Sequence, residues 1–297
     1  MLKRWFAIIP LALWLGWTAV HAERADLGAE PNPLGLEVRS AVMLDMETGK
    51  WLYSYRGDAA LPPASMSKMM TELLVLEGIS SGELRWNDRV RVSDYAAGVT
   101  GAGMGLQPRQ TLTVRELFEA MAIHSANDAT VALAEKMAGT EAEFVKRMNR
   151  KAADIGLSGG THFANATGLS SEDLSEFDTA AADGETRMTA KDAALLAVRL
   201  IKEHPEILDT TRQAATVRTS SREALQTTNE MLPGQRFGTA GNDGLKTGYT
   251  GRAGYCFTGT TVRNGRRLIT VVMGAETPES RFEETRKLLE YGWRTAT

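Results

Sequence analysis

The chain has 297 residues, 43% of them apolar, and a formal net charge of −3. That length suits one large or two small domains, and the near-neutral charge excludes a nucleic-acid binder that works through a basic surface. A single cysteine, Cys256, excludes an internal disulfide, and His21, His124, His162 and His204 show no metal-ligand spacing, so no metal, cofactor or zinc-hydrolase chemistry is expected.

Lys3 and Arg4 precede an apolar run from Trp5 to Val20, closed by the small-residue pattern Val20-His21-Ala22. This reads as a signal peptide over residues 1–22, and hence as export. An uncleaved anchor is the second reading, set back by Pro10, Gly16 and a run short of the roughly 20 residues a span needs. Ser40 to Leu44 and Trp51 to Tyr55 flank Thr48-Gly49 and predict a first hairpin. Pro62-Pro63 then delays helix, after which Met66, Met69, Met70, Leu73 and Leu74 recur at helical spacing. Gly78-Ile-Ser-Ser-Gly82 has the form of a hydrolase nucleophile elbow but follows a helix rather than a strand, so it is read as a helix stop. Gly101-Ala-Gly-Met-Gly105 lacks the Lys-Ser/Thr ending of a phosphate loop and is given no phosphate.

Thr113 with Glu116, and Thr140 with Glu143, have capping-box spacing. The helices they open carry Leu117, Phe118 and Met121, then Phe144 and Met148, with Gly139 and Gly156 as stops. Thr189 opens another helix through Leu195, Leu196 and Leu200 to the break at Pro205. Gly254 to Val262 and Arg266 to Gly274 flank Asn264-Gly265, a strong hairpin signal, and a last helix carries Phe282, Leu288, Leu289 and Trp293. The expected fold is α+β: both hairpins in one antiparallel sheet, the terminal helix on it, and a helical lobe over about residues 66–208. Residues 23–297 are expected to form a single domain, Cys256 to be a buried inert thiol.

Three short motifs stand in order along this frame: Ser65-Met-Ser-Lys68, Ser125-Ala-Asn127 and Lys246-Thr-Gly248. Together they are the residue set of a serine acyl-transferase without a catalytic histidine. Ser65 begins a helix, so Lys68, three residues on, lies over the same face and reaches its hydroxyl. The serine's own N–H is among those the first turn leaves unpaired. Serine needs a base, and a lysine is one only when burial or a second cation depresses its pKa. Lys246 is placed to be that cation. Ser125 and Asn127, at a tight turn between helices, would relay a proton and hold the substrate amide, although Ser125-Ala-Asn127 taken alone reads more readily as an ordinary helix cap.

The chain resembles the low-molecular-mass penicillin-binding proteins of the D-alanyl-D-alanine carboxypeptidase family. The resemblance is carried by Pro63-Ala-Ser-Met-Ser-Lys-Met-Met-Thr71, Ser125-Ala-Asn-Asp128, Thr161-His-Phe163 with Thr167-Gly-Leu169, Asp243-Gly-Leu-Lys-Thr-Gly248 and Ala253-Gly-Tyr255, within a stretch from about Ala41 to Trp293. It implies a penicillin-binding-protein/β-lactamase-like transpeptidase fold and a D-alanyl-D-alanine carboxypeptidase of peptidoglycan stem peptides. Ser65 would be acylated, by substrate or by β-lactams, and Lys68 would take its proton. Lys246-Thr-Gly248 would line the strand that receives the peptide, the N–H of Tyr249 would join that of Ser65 in an oxyanion hole, and Arg281 would help hold the terminal carboxylate.

Position 249 is often histidine in relatives, which leaves only a backbone role for Tyr249. Many members continue into a small β-rich domain and an amphipathic membrane helix, whereas this chain stops soon after Trp293, so no membrane contact is expected of an extracytoplasmic or periplasmic product. A D,D-endopeptidase of cross-links remains the alternative activity. A class A β-lactamase is set aside because no Glu-x-x-Leu-Asn stands between the second and third motifs. A non-catalytic β-lactam-sensing or wall-binding protein is disfavoured by the intact Ser65 and Lys68.

Overall fold

A computed structural model of the chain describes residues 31–181, 184–217, 222 and 224–295. The proposed signal peptide lies outside the described residues. The strands in chain order are β1 (Ser40–Asp45), β2 (Trp51–Tyr55), β3 (Arg89–Arg91), β4 (Thr111–Thr113), β5 (Ala215–Val217), β6 (Ala224–Gln226), β7 (Asn242–Thr250), β8 (Gly254–Arg263) and β9 (Arg266–Ala275). Five of them form one antiparallel sheet in the order β2-β1-β9-β8-β7, so the N-terminal and C-terminal hairpins join through the β1–β9 pair, Val42 opposite Val271. β3 pairs with β4 and β5 with β6 as separate two-stranded ribbons.

Side chains alternate across a strand, and this sheet uses both faces. Val42, Leu44, Ile269, Val271 and Met273 enter the larger core, shared with the helices, while Ala41, Met43, Leu268 and Val272 enter a second core under the terminal helix Ser280–Arg294 with Phe282, Leu288 and Leu289. Every residue of β1 is buried, as befits a strand covered on both sides. Each fully buried Val or Leu contributes about 1.5–3 kcal/mol relative to exposure.

The Lys68–Ser81 helix runs through the larger core, buried nearly all round from Lys68 to Leu76, and stops at Gly82 with φ +79°. The Gly78–Gly82 pattern is therefore the helix stop its context predicts. Around it pack the helices Val114–His124, Asn127–Ala138, Glu141–Asp154 and Ala190–Glu203. Thr113 and Glu116 form the full capping box. Thr140 accepts from the Glu143 N–H, but the Glu143 carboxylate turns to Lys146 at 2.6 Å, so only half of that box forms. Thr189 caps its helix by accepting from the Asp192 N–H. Cys256 is buried on β8, and burial pushes its thiol up to about 11, which makes it inert.

Candidate active site

The first motif differs in detail from a plain helix start. Ala64–Ser67 is a 3₁₀ turn, and the α-helix proper begins at Lys68. Ala64 sits at φ +48°, a left-handed conformation that costs an L-residue about 1–3 kcal/mol and is tolerated where the surroundings enforce it. The second motif carries the same kind of strain: Ser125, after the Val114–His124 helix, has φ +65°. The next helix starts at Asn127 with no side-chain cap, so Ser125-Ala-Asn127 is not an ordinary N-cap.

Lys68 is fully buried. Its Nζ lies 2.8 Å from Ser65 Oγ, 2.7 Å from Asn127 Oδ1 and 2.8 Å from the Thr167 carbonyl oxygen. Asn127 is fixed in turn, its Nδ2 donating to the Thr100 carbonyl at 2.7 Å. Two of the three oxygens around Nζ can only accept. A charged amine would donate to all three oxygens, Ser65 Oγ included, whereas an uncharged one, with two N–H bonds and a lone pair, would donate to Asn127 and Thr167 and turn its lone pair to the Ser65 hydroxyl. Burial, and next the charge of Lys246, hold the Lys68 pKa well below that of a free lysine. The geometry accommodates both forms, and burial shifts the balance toward the neutral amine, which is able to accept the Ser65 proton.

The Thr167 carbonyl has no sequence signature, because any residue type supplies one. It is delivered by a loop that Asn165 folds upon itself: Asn165 Oδ1 accepts from the N–H groups of Thr167 and Gly168 and from the Thr167 hydroxyl, and its Nδ2 donates to the Leu169 carbonyl. Gly168 has φ +80°, and a Cβ there would stand 2.0 Å from the Ala64 carbonyl oxygen, so the loop packs against the Ser65 turn only because this residue is glycine. Glu141 secures the loop from behind, accepting from the N–H groups of Ala166 and Ala181 and from the Tyr95 hydroxyl.

Opposite stands β7, the edge strand, with Lys246, Thr247 and Gly248 buried. A Cβ on Gly248 would meet the Pro63 carbonyl oxygen at 2.6 Å and the Ser65 and Met66 nitrogens at 3.1 Å, which places this strand in backbone contact with the nucleophile turn. Lys246 Nζ donates to the Thr247 carbonyl at 3.1 Å, and burial lowers its pKa to about 8. Thr247 Oγ donates to Thr228 Oγ at 2.6 Å. Arg281, second residue of the terminal helix, is buried, reaches the Gly248 carbonyl only at 3.5 Å, and leaves its Nε without a partner. Tyr249, 54% exposed, stacks on Tyr255 with ring centroids 4.2 Å apart.

A cleft of about 310 Å³ joins these parts, lined by Ser65, Ser125, Asn127, Thr247, Gly248 and Arg281 among others. Tyr249 also lines it, whereas Lys68 and Lys246 lie beneath its floor. All nine residues singled out from the sequence are therefore at or under one cleft. Sequence reasoning gave no site role to Thr167, quoted only within Thr167-Gly-Leu169, nor to Thr228, the buried Glu72 or the Gly101-Ala102 segment, which forms part of the wall. Gly101 carried a signal: with φ +86°, and Asn127 Nδ2 within 2.8 Å of where a Cβ would stand, it must be glycine for its own neighbour rather than for a phosphate.

The description D-alanyl-D-alanine carboxypeptidase matches residues 28–277 of the chain. The chain is 36% identical over 294 residues to the D-alanyl-D-alanine carboxypeptidase DacF of Bacillus subtilis, covering 98% of this chain and 71% of that protein. Penicillin-binding protein D2 of Listeria monocytogenes, solved with ampicillin, superposes with a TM-score of 0.74 at 38% identity over 89% of this chain and 100% of that one. A peptidoglycan synthesis regulatory factor, PBP3, of Streptococcus pneumoniae gives 0.81 at 35% identity over 86% and 73%.

Proposed function

Since the chain belongs to the D-alanyl-D-alanine carboxypeptidase family, we propose that its cleft hydrolyses the D-alanyl-D-alanine bond of peptidoglycan stem peptides through an acyl-enzyme on Ser65, and that β-lactams acylate the same oxygen. The reading rests on the Lys68 amine, fully buried, 2.8 Å from Ser65 Oγ and with its pKa held well below that of a free lysine. Lys68 takes the Ser65 proton as Oγ attacks the penultimate carbonyl carbon. The N–H groups of Ser65 and Tyr249 receive the developing oxyanion. Ser125 passes a proton to the departing amine, Asn127 orients Lys68 and the substrate amide, and free D-alanine leaves. Water then hydrolyses the ester and restores Ser65.

Thr247 and Arg281 hold the terminal carboxylate, the feature that distinguishes a stem-peptide end from an internal cross-link. Buried, short of hydrogen bonds and at the cleft wall, Arg281 suits a charge-assisted contact. Residues 1–22 act as a signal peptide, and the product works outside the cytoplasm, where its substrate is. Incubation of the exported form with purified muropeptides, with products followed by mass, tests this. Loss of one D-alanine from pentapeptide monomers is expected. Cleavage of cross-linked dimers with pentapeptides intact would make the protein an endopeptidase, and penicillin labelling without turnover of either would make it a sensor.

A further inference from the structure

Arg281 is a buried cation with few bonds. It is 8% exposed, its Nη1 reaches the Gly248 carbonyl only at 3.5 Å, and its Nε has no partner. Among the described residues it makes no ion pair: Glu279, two positions earlier, is bonded instead to Arg236 at 2.8 Å. Buried charges are ordinarily paired, so something other than a carboxylate must fix this one. Two aromatic rings are in place to do so. The guanidinium carbon lies 4.6 Å from the centroid of the Phe282 ring and 5.5 Å from that of Tyr255, both inside the roughly 6 Å over which a ring attracts a cation. Each ring is itself anchored. Phe282 is fully buried in the core under the terminal helix, where it meets Phe237 at 5.5 Å and Phe257 at 5.3 Å. Tyr255 stands directly opposite Tyr249 across the β7–β8 pair, where side chains on one face pack together, and the two rings stack at 4.2 Å with 23° between their planes. Tyr249, Tyr255 and Arg281 all line the cleft.

We propose that Tyr255 is a positioning residue: with Phe282 it forms an aromatic bracket that holds the Arg281 guanidinium at the cleft wall and leaves its N–H donors for a ligand, while Tyr249 braces the bracket from β7. The argument turns on which part of the cation each kind of partner uses. A carboxylate of the protein would take the forked N–H groups, the same ones that grip a carboxylate ligand, and would neutralise the charge. A ring attracts the cation through its quadrupole and offers no oxygen to compete for the five donors. The guanidinium is thereby kept in place before a ligand arrives, with its charge and its hydrogen-bonding capacity both unspent. In this scheme the Tyr255 ring matters and its hydroxyl does not. That the ligand is a terminal carboxylate rests on the carboxypeptidase reading; the bracket itself does not.

Ring and hydroxyl can be separated in the full-length protein. Tyr255→Leu should slow release of the terminal residue from a D-alanyl-D-alanine peptide with a free carboxylate by about 3- to 30-fold, the range of a cation–π contact. The loss should fall chiefly on KM, with little change for the terminal amide analogue, and Tyr255→Phe should match the wild type on both substrates. Once Arg281 is replaced by alanine, Tyr255→Leu should add no further selective loss. Equal slowing of both substrates, a selective loss that persists without Arg281, or a Tyr255→Phe variant as impaired as Tyr255→Leu overturns the proposal; a merely structural tyrosine would slow both substrates alike. A second readout needs no substrate. In side-chain NMR of isotope-labelled arginine, the Arg281 Nε–H resonance should carry a ring-current shift that Tyr255→Phe keeps and Tyr255→Leu loses, and a resonance that stays in place in Tyr255→Leu overturns the bracket. Should Tyr255→Leu fail to fold, Overhauser contacts between the Arg281 guanidinium and the Tyr255 ring protons in the wild-type protein decide: their presence is expected, and their absence overturns it. A wild-type protein that released no D-alanine would count against the carboxypeptidase reading alone, since the arginine resonance reads the bracket without it.

Discussion

The two walls of the cleft are built on opposite terms. On the side of the Ser65 turn, Lys68 and Asn127 already have their partners: three oxygens surround Lys68 Nζ within 2.8 Å, and Asn127 is bonded through both atoms of its amide. On the side of β7, they are short of partners, with a lone 3.1 Å bond for Lys246, a 3.5 Å bond and a free Nε for Arg281, and an exposed Tyr249. A saturated wall is fixed before substrate arrives, as suits groups that must meet a transition state without reorganising. An unsaturated one keeps its hydrogen-bonding capacity for a ligand. The proposed function thus divides chemistry and recognition between helix turn and strand.

The largest effect should come from removing the reacting atom of the saturated wall. Ser65→Ala is expected to abolish both D-alanine release and covalent labelling by a fluorescent penicillin, and labelling at the wild-type rate would remove Ser65 from its role. Lys68→Arg comes next, with a loss of about 10²–10⁴-fold in kcat/KM, the range of general-base contributions, because arginine keeps charge but cannot be deprotonated. The same lysine sets a sign in the wild-type protein. Its pKa is depressed in the fold, so the free base extends to lower pH than in a free lysine, and acylation should decline as pH falls through the depressed value. A rise in rate toward acid would contradict Lys68 as the base.

The contact between the walls is the next target. Gly248→Ala places a methyl against the backbone of Pro63, Ser65 and Met66, the turn that carries the nucleophile. Relief requires the strand to move, at about 1–3 kcal/mol in stability as for other overpacking and about 10²-fold in kcat/KM as for misplaced reacting groups. Thermal melting and steady-state kinetics together would check it, and an unaffected variant would show that the walls are not in register through this residue. Arg281→Ala should have the smallest effect and the most selective. A charged hydrogen bond contributes about 1.5–3 kcal/mol, so a substrate with a free terminal carboxylate should slow by about 10- to 100-fold. Its neutral amide analogue should change little. Equal slowing of both would return Arg281 to the saturated, structural kind.

What the sequence makes legible follows the range of the interactions. Ser65 with Lys68 and Thr113 with Glu116 are separated by three residues, and Asn264-Gly265 turns a hairpin on its own, so local geometry fixes each of them. Thr167 could not be found in this way, since its contribution is a backbone oxygen brought to Lys68 from 99 residues away. Glu72 is four residues after Lys68, a spacing that on a surface helix means an exposed ion pair. Only the all-round burial of the Lys68–Ser81 helix turns it into something else. Tyr249 is the reverse case: its side chain has a definite place, stacked on Tyr255, although the family pattern assigned it none.

The loop that delivers the Thr167 carbonyl also determines when along the folding path reactivity begins. In an unfolded chain Ser65 and Lys68 are still neighbours, yet the lysine is solvated and protonated, and the serine is inert. The partners that convert it arrive from 59 and 99 residues downstream, and the second cation from strand β7 near the other end of the chain. Contacts of such long sequence separation are among the slower ones to form. A partly folded chain therefore carries the entire Ser-x-x-Lys motif without its chemistry, and a covalent penicillin probe applied during refolding would report the closing of the last long-range contacts rather than the formation of the first helix.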